Sequence, residues 1–480
     1  MENSMLIGRK KEIEVIEAYY DSSKSELVAV YGRRRVGKTF LIKETMGKYF
    51  DFEFVGMHKT AARVQRDIFQ RKINQLSGEE RRTPKDWYEA FDNLTQYLLS
   101  LKKKKVVVFL DELPWMDTMN SNFISAFSYF WNNWNSKVAL LKLYVCGSAT
   151  TWMVEKLIGD PGGLYGRVSR PLYLAPFTLH ETEEFLNTVK KMNYNKIQVL
   201  DAYMIFGGIP YYLDMLNRKY PFAVNVDNLF FGSDAPLRTE YDFLFRSLFK
   251  KSSNYRKVVE ILSGNLMGLN RDDIATESKI EGGELTTILK NLNACDFIRV
   301  YDDPNKKGKG KIYQLTDMFT LFHLRFVRTH NGQDKSFWTK KAGSGETNAW
   351  LGYAFEQVCL HHTEQIKEAL GISGILCSIY AWKEKGFTDP DGNKWEGGQI
   401  DLVIDRDDKV INLCEMKYSN DKFAISGDYA ERIKNRTALF GKITKTKKAL
   451  RCTFITTYGV KENAHSNVVD SELTVEDLFR

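Results

Sequence analysis

Apolar positions fall into near-continuous runs near the start of the chain and into helical spacing further on. Leu27-Val-Ala-Val30 leads into a glycine-bearing loop, Val106-Val-Val-Phe-Leu110 into Asp111-Glu112, and Leu141-Lys-Leu-Tyr-Val-Cys146 into Gly147-Ser148. Runs of this kind suit parallel strands covered on both faces, so they predict neighbouring strands of an α/β sheet. Phe40-Leu-Ile42 predicts a helix start after the first strand's loop. Phe127, Tyr129, Phe130, Trp131 and Trp134 predict the buried side of a helix after the second strand. No Lys or Arg interleaves among them, as a base-stacking platform would require.

Helical periodicity takes over after about Phe245, in Tyr255–Ser263, in Arg271–Thr276 following Asn270, and in Glu284–Leu292. Strand-like Phe297–Tyr301 and Ile312–Thr316 then flank the basic loop Asn305–Lys311. Three helices and a hairpin predict a winged helix-turn-helix over 246–330. Lys306, Lys307, Lys309 and Lys311 could hold a DNA backbone, whereas Glu281 and Glu284 at the third helix would repel phosphates, so DNA contact and a structural or protein-docking role stay equally open. Residues 331–348 are polar and glycine-bearing, which predicts a linker. A last unit, 349–480, contains the helix Trp350–Cys359, the strand Gly397–Asp405, the turn Arg406–Lys409 and the returning strand Val410–Lys417.

The loop Gly32-Arg33-Arg34-Arg35-Val36-Gly37-Lys38-Thr39 sits between a strand and a helix start, the setting that a phosphate-binding P-loop needs. Backbone N–H groups from Gly32 to Phe40 would close around phosphate oxygens, Lys38 would reach the β- and γ-phosphates, and the Thr39 hydroxyl would ligate Mg²⁺. Asp111 then belongs to the Mg²⁺ shell and Glu112 to water activation. Ser148 stands where a γ-phosphate sensor would sit, and Arg167 could neutralise charge on the transferred phosphoryl, within its own subunit or on a neighbour in a homo-oligomer. ATP and Mg²⁺ are the expected cofactors.

In the last unit, strand alternation places Glu415 and Lys417 on one face, opposite Cys414 and Met416. Two carboxylates converging with a lysine can hold Mg²⁺ and activate water for phosphodiester hydrolysis. Adjacent His361 and His362 point about 100° apart on a helix and make a poor metal pair.

Leu6-Ile-Gly-Arg-Lys-Lys-Glu12, Leu174-Ala-Pro-Phe177 and Gly207-Gly-Ile-Pro210, taken with the P-loop, resemble the predominantly archaeal P-loop ATPase family. The resemblance implies that Ile7, Gly8, Arg9 and Pro210 border the adenine. Lys10 departs from the pattern, which usually has an acid directly after Gly-Arg. Asp401, Glu415 and Lys417 resemble the PD-(D/E)XK phosphodiesterases of restriction-endonuclease-like fold. That likeness implies Asp401, Glu415 and the helical Glu356 as metal ligands and Lys417 as the water-positioning cation. The family resemblance also implies the order of parts: a P-loop core over 1–178, a helical lid over 179–245, the winged helix, and the nuclease-like α/β domain.

Composition narrows the rest. At 480 residues and 43% hydrophobic, the chain is long enough for several packed cores. The net charge of +8 lies in the first two thirds, including Lys102–Lys105, which reads as a solvated strand entry. Six cysteines without a CxxC pair suit reduced core positions in a cytoplasmic protein. No apolar stretch nears the roughly 20 residues of a membrane span, so no membrane partner is expected. The functional expectation is an ATPase coupled to a DNA-directed nuclease-like domain, or else a nucleotide-dependent switch that binds DNA or protein without cutting.

Overall fold

A computed structural model describes residues 6–134, 138–148, 150–159, 164, 166–249, 251–302, 310–390 and 392–480. Two compact units divide the chain, Met1–Pro176 and Phe177–Arg480.

The first unit alternates helices and strands: α1 (Lys10–Asp21), β1 (Glu26–Tyr31), α2 (Lys38–Met46), β2 (Phe52–Val55), α3 (Ala62–Ser77), α4 (Trp87–Ser100), β3 (Lys105–Asp111), α5 (Phe123–Asn132), β4 (Leu140–Gly147) and β5 (Arg170–Tyr173). The strands form one sheet in the order β2-β3-β4-β1-β5, parallel throughout. Because β4 inserts between β1 and β3, the loops that leave these three strands lie side by side at one sheet edge. Trp87, Phe91, Phe123, Phe127 and Phe130 pack edge to face and, for Phe91 and Phe130, face to face in the core beside the sheet. Each such buried side chain contributes about 1.5–3 kcal/mol. Tyr129, expected on the buried side, is instead exposed and Trp131 is half-buried, whereas Phe127, Phe130 and Trp134 are buried as expected.

The second unit opens with α6 (Leu179–Glu184), α7 (Lys196–Phe206), α8 (Pro210–Asp214), α9 (Phe222–Phe230) and α10 (Glu240–Leu248). Thr178 with Glu181 and Asn195 with Gln198 form reciprocal capping boxes that fix the starts of α6 and α7. Next come α11 (Ser252–Ser263), α12 (Arg271–Ser278) and α13 (Gly282–Ala294), with an antiparallel sheet of β6 (Leu269–Asn270), β7 (Ile298–Asp302) and β8 (Lys311–Leu315) in the order β6-β8-β7. Asn270 caps α12 by accepting from the N–H groups of Asp272 and Asp273. Lys306, Lys307 and Lys309 fall outside the described residues, and Lys311 is exposed.

Residues 331–348 are not a bare connector. They contain α14 (Phe337–Lys341), whose Trp338 is buried against Phe322 and Phe326. Asp227 of α9 accepts from the Trp338 and Thr339 N–H groups at 2.7 and 3.1 Å. The apolar pair Phe337-Trp338 outweighs the polar composition around it.

The last part carries α15 (Gly345–His361), β9 (Cys377–Glu384), β10 (Gly398–Arg406), β11 (Val410–Lys417), α16 (Gly427–Thr444), β12 (Ala449–Thr456) and β13 (Ser471–Thr474). Its sheet runs β13-β12-β11-β10-β9, antiparallel from β9 to β11 and parallel from β11 to β13, with α16 as the crossover between β11 and β12. His362 follows α15, and both its ring nitrogens are engaged, Nδ1 with the Val358 carbonyl at 2.8 Å and Nε2 with the Leu179 N–H at 3.0 Å. All six cysteines are free thiols. No helix among the described residues is long and apolar enough to cross a membrane.

Candidate functional site

The loop after β1 begins where the backbone leaves no room for a side chain. Gly32 has φ 144°, and a Cβ there would stand 2.4 Å from the Leu174 carbonyl oxygen. Arg35 and Gly37, at φ 74° and 92°, turn the backbone into a concave row of N–H groups that ends at the start of α2. Arg33, Val36 and Lys38 are buried, Arg34 and Arg35 are partly exposed, and Phe40 is exposed. The Lys38 ammonium donates to the Gly32 and Arg33 carbonyls at 3.1 and 2.8 Å. Two carbonyls of the loop therefore hold the cation at the loop's own mouth.

The three strand ends meet through side chains. Thr39 Oγ1 donates to Asp111 Oδ2 at 2.8 Å, which joins the start of α2 to the end of β3. Asp111 is buried, and its other oxygen accepts from the Glu112 N–H at 2.8 Å and from the Cys146 thiol. Burial and the Asp111 charge hold that thiol well above its ordinary pKa, so it stays a proton donor. Glu112, at φ 47°, turns away from Asp111, and Ser148 Oγ lies 3.0 and 2.9 Å from its two carboxylate oxygens. Arg167 is exposed. Cys146 is the residue that sequence reasoning did not find. It ends an apolar run like any core cysteine, and only the β3–β4 pairing brings it to Asp111.

In the first unit, the segment before α1 is tied to the residues that follow β5. Ile7 and Arg9 are buried, Gly8 and Arg9 are left-handed at φ 59° and 57°, and the Arg9 guanidinium donates to the Ala175 carbonyl at 2.7 Å. Glu12 reaches Arg9 at 4.0 Å, although Lys10 occupies the position next to it. In the second unit, the Phe177 N–H donates to the Gly208 carbonyl at 2.8 Å, and a Cβ on Gly208 would come within 2.2 Å of the Phe177 oxygen. Pro210 occupies the first turn of α8, where its missing N–H has no cost.

A second cluster lies on the C-terminal sheet. Leu402 pairs with Cys414 and Val403 with Leu413, a register whose next step opposes Asp401 to Glu415. Against β9, Ile400 pairs with Trp382 and Val403 with Tyr380, so Asp401 and Leu402 share one partner and form a bulge that re-aims Asp401. Asp401 accepts from Gln399 at 2.7 Å. Burial first, then the Asp401 charge, push the Glu356 carboxyl up to about 8, and burial raises Asp401 as well. Glu415 is buried and held from α16, by Arg436 at 2.6 Å and by the Tyr429 hydroxyl, with Lys417 at 3.6 Å.

Those contacts change the metal expectation. Among the described residues no three Asp, Glu, His or Cys side chains are grouped as an ion-binding set. Glu356, Asp401 and Glu415 share one electrostatic neighbourhood, and Glu415 is also bonded to Tyr429 and Arg436 of α16. Tyr429 and Arg436 lie seven residues apart on one helical face, a spacing that an ordinary solvated helix also has.

Comparison with known proteins bears on the part of the chain that holds the first of these clusters. Residues 6–216 match the model of an ATPase domain found predominantly in Archaea. The chain is 25% identical over 421 residues to the uncharacterized protein MJECL04 of Methanocaldococcus jannaschii, covering 87% of this chain and 88% of that one. A 40-residue stretch is 50% identical to the uncharacterized ATP-binding protein MJ0423 of the same organism, covering 8% of this chain and 68% of that one. Among solved structures, the Walker-type ATPase PABY2304 of Pyrococcus abyssi aligns over 67% of this chain and 96% of its own, at 18% identity and TM-score 0.47. The ORC2 protein of Aeropyrum pernix aligns over 68% and 95%, at 12% identity and TM-score 0.42. Residues 6–216, with a P-loop after the first strand of a parallel sheet, are thus an ATP-binding ATPase domain of the predominantly archaeal type.

Proposed function

We propose that this ATPase is Mg²⁺-dependent and that its nucleotide state governs a DNA-directed, nuclease-like C-terminal domain. The carrying observation is the 2.8 Å bond between Thr39 and Asp111 at the mouth of the P-loop. A hydroxyl and a carboxylate in contact there are the oxygen donors that suit Mg²⁺, and the concave N–H row suits phosphate. Bound Mg²⁺ would neutralise charge on the β- and γ-phosphate oxygens.

With nucleotide bound, Lys38 would exchange its two carbonyls for phosphate oxygens, and Thr39 and Asp111 would hold Mg²⁺. Glu112 orients and polarises the attacking water, and Ser148, bonded to Glu112, reports the γ-phosphate to that base. The backbone from Gly32 to Phe40 cradles the phosphates, Ile7, Gly8, Arg9 and Pro210 border the adenine, and Arg167 offsets developing charge. Residues 179–245 act as a lid that closes on ATP in preference to ADP, and 246–330, a winged helix, respond to it. In the domain 349–480, Glu356, Asp401, Glu415 and Lys417 are the residues of nuclease chemistry. As arranged, its carboxylates do not fit one metal ion, so no hydrolytic step is derived there.

That misfit favours a second reading, in which the C-terminal domain binds DNA or protein without cutting. Incubating the chain with Mg²⁺ or Mn²⁺, ATP and single- or double-stranded DNA, beside Lys417→Ala and Lys38→Ala, separates the two. The nuclease reading expects cleavage lost in Lys417→Ala. Cleavage that survives this change removes the assignment, and no cleavage under any condition favours the switch.

A further inference from the structure

The two oxygens of the buried Asp111 carboxylate are treated differently by their neighbours. Oδ1 accepts twice, from the Glu112 N–H at 2.8 Å and from the Cys146 thiol. A carboxylate oxygen offers two lone pairs, so this side is fully engaged. Oδ2 accepts from the Thr39 hydroxyl at 2.8 Å, and that hydroxyl, having given its proton to Asp111, keeps its own lone pairs for a cation.

Sheet register puts the thiol there. Leu110 of β3 pairs with Val145 of β4, and the next step along these parallel strands sets Cys146 beside Asp111. Cys146 is 1% exposed, so water does not compete for its proton. Of the two donors to Oδ1, the Glu112 N–H belongs to the backbone turn, and the thiol is the one that a side chain supplies.

We infer that Cys146 is a positioning residue that sets which divalent ion the nucleotide site accepts: by occupying Oδ1 it leaves Asp111 one oxygen for the metal, a mode that suits Mg²⁺ and disfavours Ca²⁺. The inference rests on the proposed role of Thr39 and Asp111 in holding the metal. Mg²⁺ is small, demands near-octahedral geometry and keeps several waters, so one carboxylate oxygen serves it. Ca²⁺ is larger, gathers about six to eight oxygens and readily takes both from one carboxylate. Without the thiol, a lone pair of Oδ1 is released and the second oxygen becomes available to the larger ion.

An isosteric pair tests this in the full chain. Cys146→Thr keeps a donor, Cys146→Val of nearly the same shape has none, and both side chains suit a strand. Cys146→Ser and Cys146→Ala repeat the comparison at smaller size, so that poor folding of one pair leaves the other. Titration calorimetry with a non-hydrolysable ATP analogue, in Mg²⁺ or in Ca²⁺, reads binding without turnover. Wild type should bind the analogue more tightly with Mg²⁺ than with Ca²⁺. The donor-free variants should lose roughly tenfold of that preference, the lower end of what an outer partner of a metal ligand contributes, and the donor-bearing variants should keep it. Melting temperatures without nucleotide separate packing from this effect, because lost packing weakens the complexes of both ions alike. A preference that is equal in wild type and variants, or that falls equally with and without a donor, overturns the inference and leaves the Mg²⁺ site standing. Binding by wild type that ignores both ions removes the proposed metal site and the inference with it.

Discussion

At the scale of single residues, the nucleotide site is built from polar groups that hold one another. Ser148 bonds both oxygens of Glu112, so the amide in Glu112→Gln keeps the shape and removes the proposed base. ATP hydrolysis should then fall by about 10²-fold or more while ATP affinity stays within a few-fold, measured by phosphate release and by calorimetry. Unchanged hydrolysis would take the role from Glu112. Lys142 shows the same economy away from the site. It is 1% exposed, and its ammonium donates to the Tyr19, Ser22 and Lys24 carbonyls at 2.8, 2.8 and 2.6 Å, capping the end of α1. Lys142→Met should destabilise the first unit by about 3 kcal/mol, seen as a lower transition in scanning calorimetry, because the carbonyls lose a charged donor. The glycines, Lys38, Thr39, Asp111 and Glu112 were legible in the sequence because strand, loop and acid sit at fixed short spacings. Cys146, Tyr429 and Arg436 were not, since each acts through partners remote in the chain, and no local pattern marks them.

Elements with a single strong period were read well. The apolar runs at Val106 and Leu141 became β3 and β4, and α12 starts directly after Asn270 as the sequence suggested, with Asn270 as its cap. The segment 331–348 was misread because two aromatic residues decide its fate while the polar majority decides its composition. The bulge at Asp401 was invisible for another reason: strand alternation assumes an even pleat, and the extra residue shifts it. Helix α15 carries a pH signature. Glu356 has a folded pKa of about 8 against an ordinary value near 4.5, so the folded chain holds an extra proton between these limits. The Glu356 contribution to stability is therefore fully present below the ordinary carboxyl range and declines as pH rises toward 8. Asp201, pushed up to about 6 by burial, adds the same sign over a narrower window. Melting temperatures across this range should fall less steeply in Glu356→Gln. An unchanged slope would show that Glu356 ionises freely in the fold.

For the whole molecule, the proposed link between nucleotide and nucleic acid is a free-energy coupling and must be reciprocal. If ATP tightens DNA binding by some factor, the DNA must tighten ATP binding by the same factor, and couplings of about 1–3 kcal/mol correspond to 5–150-fold. Equality of the two factors supports coupling through one conformational equilibrium, and absence of both leaves two independent activities on one chain. All of this depends on the first site. Titration calorimetry of ATP into the full chain, with and without Mg²⁺ and beside Lys38→Ala and Asp111→Asn, tests it most directly. The account predicts one ATP per chain, uptake strengthened by Mg²⁺, no binding in Lys38→Ala, and loss of the Mg²⁺ dependence in Asp111→Asn. ATP uptake by folded protein that is indifferent to Mg²⁺ and to both substitutions would contradict it.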